Sequence, residues 1–585
     1  MKRQRLQMFH DSKRTASHAR LQLERLEDRL MPAVLPPGFS EMAFGAGLAG
    51  PTAMDLAPDG RIFVAEQGGS LRVIDNTGHL LPTPFVTLAV DSSGERGLIG
   101  VTLDPSFASD HFVYVYYTTT TPVTHNRISR FTANGNVAVA GSELDLLDLD
   151  PLSSATNHNG GSLHFGADGK LYVGVGENAN GSNSQTLTNL LGKMLRLNAD
   201  GSIPTDNPFY ATATGNNRAI WALGLRNPFT FGVQPGTGRI FIDDVGQSSW
   251  EEIDDGIAGA NYGWPDSEGF RQPGDTQTTI GTYHDPLFAY DHSNGSTAIT
   301  GGTFYNPATP QFPHSYVGDY FFSDLGGGYI KLFNPANGTA TGFATGLSVP
   351  VDLDVGPDGS LYYLQRGTGA TTGAIFRIQF TANAIFVTHL YEDLLGREPD
   401  ANGLTGWVGQ LNAGTSRSQV ALAIEGSAEY RGHLIDGLYL SFLKRAADPG
   451  GRSGFDQLLA GGGTVDAVRA AILGSQEYFG LHGGTNDGFI TALYQDVLGR
   501  APDANGKAHW LQQLANGQAR TNVALSVLAT SEAKQVLAAG FYVRFLKRGA
   551  DANGLTTFQN QLLQGVREQT VIAEIVASDE YFTRP

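Results

Sequence analysis

From about Pro36 to Phe380 the chain runs in short alternating stretches of apolar and polar residues, each entered through a glycine-bearing turn. APDGRIFVAE (Ala57 to Glu66), GADGKLYVGVGE (Gly166 to Glu177), PGTGRIFIDDV (Pro235 to Val245) and GPDGSLYYLQ (Gly356 to Gln365) repeat one unit. Glycine supplies the positive φ that a reversal needs, and the branched and aromatic residues after it supply the packable faces of a strand. Asp104 to Thr118 adds another strand behind a longer entry loop. Many short hairpins in succession predict a β-propeller, whose closure shelters its sheet edges. Their uneven spacing fixes no blade number, and a pair of β-sandwiches is the structural rival.

Beyond Ala382 the period changes. FVTHLYEDLLGREPDANGLTGW (Phe386 to Trp407) returns as FITALYQDVLGRAPDANGKAHW (Phe489 to Trp510), with related units at Gly437 to Phe455 and Gly540 to Phe558. Each places leucines and aromatics three or four apart and breaks at an Asp/Asn/Gly loop before a second helix. Taking Gly403, Gly454, Gly506 and Gly554 as equivalent gives four units of one all-α repeat module. Its aromatics read as core.

The chain of 585 residues is too long for one core. Three segments follow: 1–34, a basic export or disordered segment; 35–380, the propeller; and 381–585, the helical module. The net charge of −18 argues against general nucleic-acid binding. With no cysteine, disulfides, thiolate chemistry and cysteine metal sites are excluded. No apolar run reaches the roughly 20 residues of a transmembrane helix. The N-terminus lacks the apolar core of an ordinary signal peptide, but LQLERLEDRLMPA (Leu21 to Ala33) resembles an N-terminal motif of planctomycete exported proteins. That resemblance implies a periplasmic, extracellular or cell-surface location.

The densest chemistry lies between Asn157 and Pro228. His158, in the loop NHNGG, offers an imidazole that exchanges protons near neutral pH, or else holds a turn. Glu177 follows the strand Lys170 to Val175, where its carboxylate could orient that imidazole or cap a turn. Arg226 and Asn227 precede Pro228, which restricts the backbone and aims both side chains. An arginine fork suits a planar carboxylate, so an anionic ligand or an acidic structural partner is expected there. Asp244 to Gly256 and Asn261 to Pro265 offer oxygen ligands of the kind calcium uses, without an EF-hand or HExxH spacing.

GERGLIGVTLDPSF (Gly94 to Phe107), HNGGSLHFGADGKLYVGVGEN, GKMLRLNADGSIPTDNPF (Gly192 to Phe209), ALGLRNPFTF (Ala222 to Phe231), DVGQSSWEEID and GANYGWP together resemble the soluble pyrroloquinoline-quinone-dependent sugar dehydrogenases, the glucose/sorbosone dehydrogenase family. The resemblance spans about Leu35 to Phe380 in order. It implies a six-bladed propeller that binds the quinone and calcium at its central, loop-rich end. His158 then matches the base that takes the substrate hydroxyl proton. Glu177 stands where the family has an aspartate, and Glu95 where it commonly has a glutamine. Arg226 and Asn227 match cofactor contacts, and Gly246 and Gln247 the loop whose carbonyls hold calcium. Two late cationic sites of the family pattern are absent: Gly326, Gly327 and Gly328 replace a lysine region, and Val349 and Val351 replace arginines. Each lost charge-assisted contact removes about 1.5–3 kcal/mol. Arg366 is the candidate that compensates. The helical units resemble a four-repeat domain of unknown function related in appearance to phycobilisome-linker and cell-surface modules.

The resulting expectation is an exported quinoprotein oxidoreductase: a six-bladed all-β propeller followed by an all-α repeat module. His158, Glu177 and Glu95 are its catalytic candidates, Arg226, Asn227 and Arg366 bind the quinone, and Gly246 and Gln247 bind calcium. Its partners are a sugar or polyol, an electron acceptor, and a surface or matrix protein held by the repeats. The rival is a non-catalytic propeller that binds carbohydrate or protein; a calcium-supported hydrolase ranks third, for want of an activated nucleophile.

Overall fold

The computed structural model describes residues 32–275, 279–292 and 297–584. Nearly all of the planctomycete-like stretch and of the basic segment falls outside them. Strands extend from Phe39–Leu48 to Gly373–Phe380, and helices from Ala382–Leu395 to the C-terminal end.

The repeated glycine turns all do the same job. In Ala57 to Arg61 the Gly60 N–H donates to the Ala57 carbonyl at 2.9 Å with Gly60 at φ 85°, and this reverses strand Pro51–Leu56 into the wholly buried strand Ile62–Glu66. The turns before Leu171–Val175, Ile240–Asp244 and Leu361–Gln365 likewise join the first and second strands of their sheets. Each first strand then lies beside the first strand of the next sheet, around a common centre.

The expectation of a six-bladed propeller requires correction. Among the described residues, five sheets are wholly antiparallel, with Pro51–Leu56, Leu98–Leu103, Pro228–Val233, Ile299–Phe304 and Pro350–Val355 as their first strands. The remaining sheet, which begins at Leu163–Phe165, is mixed: after Ile220–Leu223 it continues through Ala260–Asn261 and Thr282–Tyr283 in parallel pairings. No hairpin returns here. The chain leaves at Gly224, where a Cβ would come within 2.1 Å of Asn261 Oδ1. It first builds three strands of the neighbouring sheet, Pro228–Val233, Ile240–Asp244 and Trp250–Asp255, before Asn261 comes back alongside. Hairpin spacing in sequence does not reveal such a detour.

The last sheet closes the ring with both ends of the domain, since Phe39–Leu48 pairs with Gly373–Phe380. Thr381 then caps helix Ala382–Leu395, and one apolar cluster runs from Phe312, Phe343 and Phe380 into Phe386, Leu390 and Leu404. The helical module thus shares a core with the propeller.

In each repeat an aspartate starts the second helix and accepts the N–H of a glycine three residues on: Asp400 with Gly403, Asp448 with Gly451, Asp503 with Gly506 and Asp551 with Gly554. The second counterpart is therefore Gly451, not Gly454. At each of these four glycines a Cβ would fall within 3 Å of a tyrosine hydroxyl, from Tyr391, Tyr439, Tyr494 or Tyr542. Arg397–Glu429, Arg445–Glu477, Arg500–Glu532 and Arg548–Glu580 clasp successive units. No described helix is long and apolar enough to cross a membrane.

Candidate active site

Where the innermost strands begin, a cavity of about 250 Å³ opens at the propeller centre. Thr52, Ile99, Phe229, Thr300 and Val351 reach it from five different sheets, and Glu95 and Arg366 are its charged lining residues.

His158 lies beside this cavity rather than in its lining. Its backbone N–H donates to Glu95 Oε2 at 2.6 Å, and its Nδ1 lies 2.7 Å from Glu177 Oε1. A carboxylate can only accept, so Nδ1 carries a proton, and in the neutral imidazole Nε2 presents its lone pair. Glu177 is itself fixed. Its Oε2 accepts the Asn180 N–H, its own N–H donates to the Arg226 carbonyl at 2.9 Å, and its side chain is only 2 % exposed.

The glycines of both motifs make this pairing possible. A Cβ on Gly176 would lie 2.4 Å from the His158 carbonyl carbon, and one on Gly160 would lie 2.5 Å from the Gly174 oxygen. The NHNGG loop and the GEN turn therefore touch backbone to backbone. His158 itself has φ 57°, and Asn178 and Ala179 have φ 54°. Such left-handed non-glycine residues cost of order 1–3 kcal/mol each and concentrate at functional sites.

Asn227 joins the same assembly, its Oδ1 accepting the Gly160 N–H at 3.0 Å. Asp244, which the sequence reading grouped only with a possible calcium loop, proves to be the anchor of the LRNP turn. Its two oxygens accept the N–H groups of Arg226 at 2.9 Å and Asn227 at 2.6 Å. Burial pushes its carboxyl up to about 6, against the lowering effect of those two bonds. Gln67 was also missed: it donates to the Gly94 and Arg96 carbonyls and accepts from Arg366. No motif marks it, because its role depends on contacts across the ring.

The structure therefore brings His158, Glu177, Glu95, Arg226 and Asn227 into one hydrogen-bonded group, with Arg366 on the shared cavity. Gly246 is linked to it, but through Arg226, whose Nη1 donates to the Val245 and Gly246 carbonyls at 2.8 and 2.6 Å. Gln247 is turned away: the N–H groups of Gln247, Ser248, Ser249 and Trp250 converge on Glu268 Oε1. Burial acts to raise the Glu268 carboxyl, yet these bonds together hold it below the ordinary range.

These arrangements bear differently on the two expected ligands. Calcium does not fit this donor set, because the Gly246 oxygen faces a guanidinium and the next loop offers N–H groups to an acid. Among the described residues no cluster of three or more His, Asp or Glu side chains is arranged for a metal. An anionic planar quinone fits with a reduced set of cations. Arg366 lines the cavity, and the buried Nε of Arg226 has no partner. Val351 presents apolar surface where the resemblance places an arginine, and Leu325 lines the cavity just before the glycines that replace its lysine region.

Residues 48–377 match the family model Glucose / Sorbosone dehydrogenase, and residues 376–434 and 470–537 match Domain of unknown function (DUF4214). The aldose sugar dehydrogenase YliI of Escherichia coli is 28 % identical over 347 residues, covering 56 % of this chain and 89 % of that protein. Quinoprotein glucose dehydrogenase B of Acinetobacter calcoaceticus is 29 % identical over 262 residues, covering 40 % and 54 %. Among solved structures, the soluble aldose sugar dehydrogenase of Escherichia coli in its apo-form is similar with a TM-score of 0.52 at 25 % identity. That match covers 59 % of this chain and all of the other.

Proposed function

The chain belongs to the glucose/sorbosone dehydrogenase family, and on that premise we propose that its propeller is a quinone-dependent oxidoreductase of a sugar or related polyol. The observation that carries the reading is the hydrogen bond from His158 Nδ1 to Glu177 Oε1, which leaves Nε2 free of any protein hydrogen bond among the described residues. His158 Nε2 takes the proton of the substrate hydroxyl, and Glu177 stabilises the imidazolium that results. Glu95 holds the His158 backbone and borders the substrate cavity. Arg226, Asn227 and Arg366 would hold the cofactor. Bound pyrroloquinoline quinone supplies a two-electron acceptor for the hydride lost from the hydroxyl-bearing carbon, which becomes a carbonyl carbon. An external acceptor then collects the electrons. The helical module serves attachment at a surface or matrix, in keeping with an exported protein.

Titrating the purified chain with the quinone and following dye reduction over an aldose panel tests this. Saturable quinone binding with sugar-dependent reduction is expected; absence of binding overturns the cofactor assignment. Gly326, Gly327 and Gly328 and the apolar Val351, where the family pattern has cations, favour the second reading, a propeller that binds carbohydrate without turnover. It predicts sugar binding with no reduction at any quinone concentration.

A further inference from the structure

Two helices of the C-terminal module match in length and in both end caps. Ala428–Leu443 and Ser531–Leu546 each have 16 residues, each starts at a hydroxyl cap, Ser427 or Thr530, and each ends at a left-handed lysine, Lys444 or Lys547. The cap accepts the N–H of Tyr430 in the first helix and of Ala533 in the second. The other two repeats also place a tyrosine here: Ser475 caps at Tyr478 and Ser578 at Tyr581. All three tyrosines are buried, at 3 %, 0 % and 0 % exposure. The third repeat alone has no ring at this position.

Beside Ala533 lies a cavity of about 320 Å³, within the range of small-molecule sites. It follows one face of the helix from Ala533 past Leu537 and Gly540 to Arg544, with Phe442 and Leu528 on the opposing walls. A Cβ on Gly540 would meet nothing within 4 Å, so the space there is open. The acids on the lining are already engaged. Asp466 pairs with Lys534 and Arg469, and Asp496 accepts the Tyr478 hydroxyl at 2.6 Å. Arg544 differs from both other cations, since its Nη2 donates to the Asp393 main-chain carbonyl and it forms no salt bridge among the described residues. The cavity therefore combines apolar walls, a missing ring and a guanidinium with no salt bridge among the described residues, the nearby Glu425 acting on it only through its charge.

We propose that this cavity binds a carboxylic acid carrying a single aromatic ring on a short chain. The ring occupies the space beside Ala533 and Gly540, and the carboxylate pairs with Arg544, for which a planar fork is suited. This site is independent of the propeller chemistry.

The test uses the full chain and 3-phenylpropanoate as probe, with 3-phenylpropanol as its uncharged counterpart, by calorimetric titration. Saturable one-site binding of the acid is expected. Ala533→Tyr restores the ring of the other repeats, and should weaken binding at least about tenfold while raising the melting temperature by filling the void. Gly540→Phe fills the same space from open backbone and decides the matter should the first variant fold poorly. Arg544→Gln should reduce acid binding about tenfold and leave the alcohol unchanged. Absence of saturable binding, or binding that persists unchanged in both filled variants, overturns the proposal.

Discussion

His158 and Glu177, 19 residues apart in sequence, are joined by a 2.7 Å hydrogen bond between Nδ1 and Oε1. Glu177→Gln should therefore lower the turnover of the quinone-loaded protein by about 10²–10⁴-fold, the usual worth of acid–base assistance. A change confined to KM in steady-state dye-reduction assays would contradict the role. His158→Ala should remove sugar-dependent reduction while preserving quinone binding.

Asp244 touches neither the cavity nor His158, yet both of its oxygens position the Arg226–Asn227 backbone. Asp244→Ala releases that turn, and quinone affinity should fall about tenfold by fluorescence titration. Unaltered affinity would show that Arg226 is placed by Pro228 alone.

The propeller buries an acid with few partners in Asp243. Its Oδ2 accepts from Thr230 and Tyr320, and its Oδ1 has no partner. Burial pushes its carboxyl up to about 8, with the neighbouring Asp352 charge adding to the rise. The folded chain thus keeps a proton that the unfolded chain releases near pH 4. Its contribution to stability declines as pH rises from about 4 to about 8 and is level above that. Asp243→Asn removes this dependence. Its melting temperature relative to the parent should be higher at pH 8 than at pH 5, by about a few degrees in scanning calorimetry. An offset constant with pH would show that the carboxyl is already ionised in the fold.

Gly554 and Gly437 are both helical, but only Gly554 is hemmed in. A Cβ there would lie 1.9 Å from the Tyr542 hydroxyl, whereas one at Gly437 meets nothing within 4 Å. Gly554→Ala should cost about 1–3 kcal/mol by overpacking, and Gly437→Ala should stabilise by about 0.5–1 kcal/mol through helix propensity. Urea melts of the two variants shifting in the same direction would refute the assignment of Gly554 as a packing contact.

Local patterns carried much of this architecture. The glycine turns name the first and second strands of their sheets because a φ near 80° and a buried strand leave signatures within ten residues, as Gly60 and Ile62–Glu66 show. The His158–Glu177 group was legible through an ordered run of motifs. What stayed hidden depends on parts of the chain far apart. The detour between Ile220–Leu223 and Ala260–Asn261, the hold of Gln67 on Arg366 and the turning of the Gln247 loop toward Glu268 are settled only by packing. The repeat register slipped at Gly454 because glycine is abundant there, and only the Asp448 cap singles out Gly451.

Closure of the last sheet has a consequence for the order of synthesis. Phe39–Leu48 leaves the ribosome early, but its partner Gly373–Phe380 is made only after every other strand. The first strand must wait without any strand partner, and the pairing it awaits is of the long-range kind that slows folding. Helix Ala382–Leu395 emerges next, and Ala384 and Leu404 come to rest against Gly38 and Phe380 at that junction. The repeats thus arrive as a latch over the joint just after it has shut, so a chain ending at Phe380 would possess all its blades and still open more readily at the seam.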